Sequence, residues 1–179
     1  MKRMILPAFL VLCFSQAALA QDSEISHQFG LGLQVTQHQN DFGVGLHATS
    51  PYFWNHAVAV RLRGNLMFYQ HPQGGLSTWT PYYNLSLGII GASLYAGEHI
   101  RVYGEGGAIV LFPSPVFSSQ SMHFGGYGLF GVEFYVAKRA NLFMEIGGMG
   151  SSATADLINS KPIYSNGMII NAGYRVQFE

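Results

Sequence analysis

Histidine and serine side chains are the residues of this sequence that could supply a nucleophile and its general base. Such chemistry needs a serine within hydrogen-bond reach of a histidine, and in the best-known enzymes a carboxylate orients that histidine. The sequence contains no compact His-x-Ser segment with an adjacent Asp or Glu. We therefore expect no enzymatic activity, and we interpret the candidates as polar residues near one end of the molecule: His38, His71, His123, Ser118, Ser119, Ser121, Ser151 and Ser152.

Cofactor and nucleic-acid chemistry are not indicated either. The sequence shows no metal-ligand spacing, and Gly104-Glu105-Gly106 falls within a predicted strand instead of preceding a helix, which argues against a phosphate-binding loop. Seven basic residues follow residue 20, against nine acidic ones. This balance gives no reason to expect nucleic acid as a partner. We expect no cofactor.

Ion pairing is the chemistry that the spacing favours. Seven charged residues lie inside the predicted strands, away from their first and last positions, and each shares its face with polar or small residues while its immediate neighbours are apolar. Val60 and Leu62 flank Arg61 in this way, and Val132 and Phe134 flank Glu133. The seven residues are Arg61, Arg63, Arg101, Glu105, Glu133, Glu145 and Arg175.

Period-2 alternation predicts the elements that position these charges. In the last stretch, Ile163 to Phe178, apolar residues fall on one side of a ribbon and polar residues on the other. Eight such runs have close to the length of about 9–11 residues that a tilted strand needs to cross a bilayer. They cover approximately residues 27–37, 41–50, 57–70, 82–94, 99–112, 121–136, 140–150 and 163–178.

Prolines and connections support this segmentation. We place all six prolines that follow residue 20 between the runs or at their edges, where a missing amide donor does least harm: Pro51, Pro72, Pro81, Pro113, Pro115 and Pro162. Compact connections at 50–56, 95–98 and 137–139 alternate with longer ones at 71–79, 113–120 and 151–162. The short link at 38–40 is the exception. If the N-terminus lies in the periplasm, the longer connections lie on the outer side of the membrane.

The low content of charged residues and the cost of placing a charge in lipid indicate which face of the strands points inward. Charged residues make up 10% of the chain, against about a quarter in soluble domains. A charge on a lipid face near the midplane would cost about 2–4 kcal/mol for Arg or Lys. We therefore predict a charged interior and a lipid-facing apolar exterior. The alternative is a secreted soluble barrel of the lipocalin kind, with the opposite orientation.

Aromatic residues near the predicted strand ends are consistent with two belts at headgroup level. At the periplasmic ends we place Tyr52, Phe53, Trp54, Tyr95, Phe134, Tyr135 and Phe178. At the outer ends we place Phe42, Phe68, Tyr69, Trp79, Tyr83, Phe112 and Phe124.

The first twenty residues have the pattern of a cleaved secretory signal peptide. Lys2 and Arg3 precede an apolar run from Ile5 to Phe14, and Ala18-Leu19-Ala20 forms a small-residue cleavage site. Residues 21–179 then form one domain. They contain no cysteine, so disulfides cannot stabilise it.

With these features, the chain resembles the small outer-membrane β-barrel proteins of Gram-negative bacteria, the class that contains the OmpA membrane domain, OmpX and OmpW. Its segment from Asn171 to Phe178 resembles the C-terminal assembly signal of that class, although Glu179 follows the terminal aromatic residue here. The resemblance implies an all-β, eight-stranded antiparallel up-and-down transmembrane β-barrel in contact with outer-membrane lipid. It also implies that the barrel-assembly machinery reads Asn171, Gly173, Val176 and Phe178.

The lumen allows several roles. The seven charges should lie in the periplasmic half and pair, because an eight-stranded barrel is just wide enough for its side chains to fill. They would form an ionic plug or, if the pairs rearrange, line a narrow ion path. The outer half resembles an apolar cup, which ordinary packing or a small hydrophobic ligand would fill: Met67, Tyr69, Tyr82, Ile90, Ile109, Tyr127, Leu129, Met149 and Ile169.

We accordingly expect a monomeric outer-membrane barrel with a structural or surface-interaction role. Binding or uptake of small hydrophobic molecules is the alternative. A lipid-modifying enzyme is the third hypothesis.

Overall fold

The computed structural model describes residues 28–54, 57–73, 75–96 and 99–178. The predicted signal peptide and Glu179 lie outside these residues. Eight strands make up the described fold: β1 (Phe29–His38), β2 (Asp41–Thr49), β3 (Ala59–Gln73), β4 (Leu76–Ala96), β5 (Ile100–Phe112), β6 (His123–Ala137), β7 (Ala140–Ser151) and β8 (Gly167–Phe178).

The strands form a closed barrel in which each strand pairs antiparallel with its neighbours in sequence, and β1 closes the circle by pairing with β8. Phe29 pairs with Phe178 at one end of this seam, and His38 pairs with Ile169 at the other. This confirms the prediction of an eight-stranded antiparallel up-and-down barrel. The described part of the chain contains no helix of the length and hydropathy that crossing a membrane requires.

The alternating pattern orients the side chains as predicted. Leu33 and Ile89 on the outer wall are 62% and 60% exposed, whereas Arg61 and Glu133 in the lumen are 0% exposed. A soluble lipocalin-like barrel would need the reverse arrangement, so the structure contradicts that alternative. The apolar outer wall is the surface that a hydrocarbon environment would solvate.

The connection predicted at 71–79 is wrong, because β3 and β4 continue through it as a hairpin that pairs as far as Gln73 and Leu76. Pro72 and Pro81 therefore lie inside strands. Among the described residues, β2 pairs with β3 only up to Phe68, and β5 pairs with β4 only from Tyr83 onward. Each proline thus lies where its strand has one free edge, and the missing N–H need not interrupt a ladder.

Strand β8 is shorter than the alternation predicts, since it begins at Gly167 and not at Ile163. Ile163 instead forms an isolated bridge with Thr154. The segment 152–166 is therefore one long connection at the same end as the β3–β4 hairpin and the 113–122 connection. We call this the upper end, and the opposite end, where Phe29 meets Phe178, the lower end.

Most of the predicted belt aromatics lie on the outer wall, but four of them do not. Tyr69 and Tyr135 are buried in the lumen. Tyr52 packs against Arg101, and Tyr95 pairs with Arg101 and faces its guanidinium. At the upper end, the Phe42 ring stacks on Phe68 with centroids 5.2 Å apart and meets the edge of Trp79 at 5.0 Å.

Candidate functional site

Two arginines of β3 and two glutamates form the larger group of ion pairs in the lumen. Arg61 Nη1 donates to Glu105 Oε2 at 2.8 Å and to Glu145 Oε1 at 2.7 Å. Arg63 donates through Nη2 to Glu105 Oε2 and through Nη1 to Glu145 Oε2, both at 2.6 Å. All four side chains are buried. Because each carboxylate accepts from both arginines, loss of one group would leave several buried partners unpaired.

Glu133 lies between the two remaining arginines. Arg175 Nη1 donates to Glu133 Oε1, and Arg101 Nη1 donates to Glu133 Oε2 at 3.3 Å. Arg61 Nη2 lies 3.7 Å from Glu133 Oε1 and thereby joins the two groups. The structure thus brings the seven predicted charged residues into one buried network, which we call the charged floor.

Neutral side chains that the sequence analysis did not assign to this network complete its hydrogen bonds. Tyr103 donates to Glu145 and accepts from Arg61 Nη1 at 3.2 Å, and His47 Nε2 accepts from Arg175 Nε at 3.0 Å. Their inward parity was the available signal, since Tyr103 lies two residues after Arg101 and His47 lies on the side of its alternating run opposite to Val44 and Leu46.

Tyr127 and Asn171 are among the residues that the sequence analysis assigned other roles and that also contact the charged floor. Tyr127, predicted to line the apolar cup, donates its hydroxyl to Glu105 Oε1 at 2.8 Å. Asn171, part of the segment that resembles an assembly signal, donates Nδ2 to Glu145 Oε2 at 2.8 Å. The other three residues that we expect the assembly machinery to read also lie on β8, where Gly173 faces the Phe143 ring inside the barrel and Val176 and Phe178 face outward.

Four arginines and three glutamates leave one formal positive charge in the charged floor, and aromatic rings accommodate it. Arg101 Cζ lies 4.3 Å from the Tyr52 ring centroid and 5.3 Å from that of Tyr103. Arg175 Cζ lies 5.0 Å from the Phe143 centroid. A desolvated guanidinium over a ring gains cation–π stabilisation of about 2 kcal/mol. Tyr52, predicted as a membrane-interface residue, is therefore a partner of the charged floor.

The predicted apolar cup is filled by protein. Seven of its residues belong to one buried cluster and Tyr127 packs against it, but Ile90 lies in a separate cluster with Ala59 and Tyr103. Side chains from the upper connections occupy the space between the cup residues. We call the whole cluster the outer plug; its added members are Leu111, Phe117, Ala153, Ala155 and Tyr164, with Ile158 against it.

Aromatic contacts show how Phe117 and Tyr164 close the upper end. The Phe117 ring lies 5.0 Å from the Tyr164 ring and 5.0 Å from the Tyr69 ring, both edge to face. Tyr82 meets Tyr164 in the same way at 5.3 Å. Because Phe117 and Tyr164 come from irregular segments, no periodicity in the sequence could have placed them inside the barrel.

Hydrogen bonds between the two long upper connections hold the outer plug in place. The Asp156 carboxylate accepts from Ser118 Oγ at 3.0 Å, from the Ser119 N–H at 2.9 Å and from the Ser119 hydroxyl. The Leu157 N–H donates to the Phe117 carbonyl at 3.1 Å. Ser118 and Ser119 thus bind a carboxylate and not a histidine.

These bonds predict how the connections respond to acid. Hydrogen bonds from Ser119 lower the pKa of Asp156 from 3.8 to about 2. A group whose pKa is lower in the folded than in the unfolded state stabilises the folded state at pH values above its unfolded pKa. This stabilisation is lost as the pH falls through the folded pKa. We expect the Ser119 amide proton resonance to titrate with a midpoint near pH 2 in detergent-solubilised protein. A midpoint at 3.8 would show that the carboxylate is not bound.

The remaining histidine candidates have structural partners. His71 Nε2 lies 2.8 Å from Thr80 Oγ1, and the His123 ring lies edge-on to Tyr164 with centroids 6.1 Å apart. Within the described ranges, no three His, Cys, Asp or Glu side chains are arranged to hold a metal ion.

A closed eight-stranded barrel with an apolar outer wall and a charged, hydrogen-bonded lumen has the fold of the small outer-membrane β-barrel proteins. The resemblance found in the sequence is thus confirmed at the level of the fold.

Comparison with solved structures agrees with this fold. The chain is similar to the N-terminal β-barrel domain of Pseudomonas aeruginosa OprF, with a TM-score of 0.56 and 11% sequence identity over 85% of this chain and 98% of that domain. A second similar structure is Ail, the attachment invasion locus protein of Yersinia pestis, with a TM-score of 0.46 and 13% identity over 84% of this chain and 97% of Ail. No family model and no curated protein matches the chain.

Proposed function

We propose that this chain is an integral outer-membrane barrel with a structural or surface-interaction role, and that its lumen is closed to ions. The observation that carries this proposal is the charged floor, in which each of the three glutamates is bound by at least two arginines. An ion crossing the lumen would have to break several of these buried pairs, and each broken pair would leave an uncompensated charge. The outer plug adds a second, apolar barrier above the floor.

This role requires no catalysis. The same proposal includes export by a cleaved signal peptide and a monomeric state. It also includes recognition of four residues by the barrel-assembly machinery: Asn171, Gly173, Val176 and Phe178. The lower end would face the periplasm, so the β3–β4 hairpin and the long connections would meet the exterior and present a surface to partners. Binding or uptake of a small hydrophobic molecule would require Phe117 and Tyr164 to leave the outer plug, so the packing favours the closed barrel.

Conductance in planar bilayers tests closure at both barriers. We expect no current steps for the unmodified protein or for Phe117→Ala, because the charged floor is intact in both. The triple variant Phe117→Ala, Arg61→Ala, Arg63→Ala should conduct, since it weakens both barriers. Heat-modifiable migration on a gel would confirm that each variant is a folded barrel. Steady conductance by the unmodified protein, or a folded triple variant that does not conduct, would contradict closure by these residues.

A further inference from the structure

His38 and Ser165 form a close pair at the upper end of the barrel that the role proposed above does not use. His38 Nδ1 lies 2.8 Å from Ser165 Oγ, and the two side chains are 3% and 2% exposed. His38 ends β1 and Ser165 precedes β8, so closure of the barrel between these strands brings the residues together. A separation of 127 residues hides the pair from any search for a short motif.

Ser165 is held in an unusual conformation. Its φ of 48° lies in the left-handed region, which a residue other than glycine rarely adopts. The buried carboxylate of Asp41 fixes it there, because Asp41 Oδ2 accepts from the Ser165 N–H at 3.0 Å and from the Tyr82 hydroxyl at 2.8 Å. Strained backbone that its surroundings hold in place is frequently found at sites of function.

The pair lines a cavity of about 210 Å³ between the β1–β2 turn and the start of β8. At about 30 Å³ for each water molecule, this volume suits an acyl group of a few carbons and not a long chain. Tyr164 also lines the cavity, and its buried hydroxyl has no hydrogen-bond partner among the residues that the structure describes. Burial raises the pKa of Tyr164 above its ordinary value, so the hydroxyl stays protonated and able to donate.

We propose that His38 and Ser165 form a hydrolytic site for esters of short acyl groups. With its proton on Nε2, His38 accepts the Ser165 hydroxyl proton at Nδ1 while Oγ attacks the ester carbonyl carbon. The bond between that carbon and the alcohol oxygen then breaks, and His38 returns the proton to the departing alcohol. Water, deprotonated by the same imidazole, then attacks the acyl carbon. The bond from that carbon to Ser165 Oγ breaks, His38 returns the proton to Oγ, and the carboxylic acid leaves. In this proposal the unpartnered Tyr164 hydroxyl donates to the carbonyl oxygen as negative charge develops on it.

The chain contains a matched control for this site. His71 Nε2 lies 2.8 Å from Thr80 Oγ1, so a second imidazole and hydroxyl are within hydrogen-bond distance at the same end of the barrel. Thr80, however, lies within β4 and is not among the residues that line the cavity, although its strand partner Tyr69 is. Loss of the Thr80 hydroxyl therefore removes a buried histidine–hydroxyl pair without removing a group that lines the proposed site.

The test uses the full chain refolded in detergent, with p-nitrophenyl butyrate as substrate and p-nitrophenyl palmitate as the oversized comparison. We expect hydrolysis of the butyrate ester and little of the palmitate. Ser165→Gly, which suits the left-handed backbone, and His38→Asn should each lower the rate by at least about 100-fold. Thr80→Ala should retain it. Heat-modifiable migration establishes that each variant is folded.

A second measurement does not depend on variants. A fluorophosphonate probe should label the unmodified protein, and mass spectrometry should locate the label on Ser165. Absence of labelling, labelling elsewhere, or butyrate hydrolysis that survives Ser165→Gly would overturn the proposal.

Two further substrates identify the source of the acyl group. Dibutyrylphosphatidylcholine represents a lipid, and glucose pentaacetate represents an acylated sugar. Hydrolysis of either one that depends on Ser165 supports the site, and the preferred substrate names the source. Hydrolysis of neither, together with no labelling, would leave the pair a structural contact only.

Discussion

Replacing Glu145 by alanine is expected to destabilise the barrel by about 3–5 kcal/mol, the usual cost of removing one partner of a buried ion pair. Glu145 is 2% exposed and accepts hydrogen bonds from Arg61, Arg63, Tyr103 and Asn171. Without it, two guanidinium groups face each other in the lumen with only Glu105 between them. Equilibrium urea unfolding in detergent micelles or lipid vesicles measures the loss.

Two controls separate charge pairing from simple side-chain loss. Asp156→Ala removes a carboxylate that is held by hydrogen bonds at the surface of the upper connections, and it should cost far less. The double variant Arg63→Met with Glu145→Met removes one charge of each sign and should be less destabilised than the sum of its single variants. Equal costs for Glu145→Ala and Asp156→Ala would contradict a tightly paired floor.

A second large loss of stability is expected when a charge is placed on the outer wall. Leu87 is 56% exposed and pairs with Leu62 and Ala108 on the neighbouring strands. If this wall faces hydrocarbon, Leu87→Arg should cost about 2–4 kcal/mol in lipid vesicles. Leu87→Ala is the matched control, because it shortens the side chain without adding charge. An arginine tolerated as well as the alanine would mean that water, not lipid, surrounds this wall.

The sequence predicts the side on which a residue lies far better than it predicts the contacts of that residue. Alternation is a local property, so the inward parity of Arg61, Arg63 and Glu105 could be read from their own strands. Which carboxylate each arginine binds depends on the shear and closure of the barrel, and these involve strands far apart in sequence. The neutral partners Tyr103 and His47 were missed for this reason.

Element boundaries were least predictable at the upper end. Pro72 and Pro81 indicated a loop, because proline usually interrupts a ladder. They lie instead in a hairpin whose outer edges are unpaired, and whether a strand has a free edge cannot be seen within its own sequence. Likewise, the 152–166 connection has no periodicity from which the buried position of Tyr164 could be derived.

The filling of the apolar cup illustrates the same limit. Parity and height along each strand are enough to group its inward side chains on β3 to β8, most of which lie in one buried cluster, while Ile90 lies in another. What fills the space between them depends on Phe117, in an irregular connection, and on how Asp156 fastens that connection to the next one.

A lipid-attached quencher provides the most direct test of the inverted arrangement, in which charges lie inside the barrel and apolar residues face lipid. The test labels a single cysteine at position 87 with a fluorophore in the protein refolded into vesicles; the sequence after residue 20 contains no other cysteine. We predict strong quenching by bromine atoms near the centre of the lipid tails and almost none by iodide in the water. Strong quenching by iodide with none by the brominated lipid would contradict a membrane-spanning barrel.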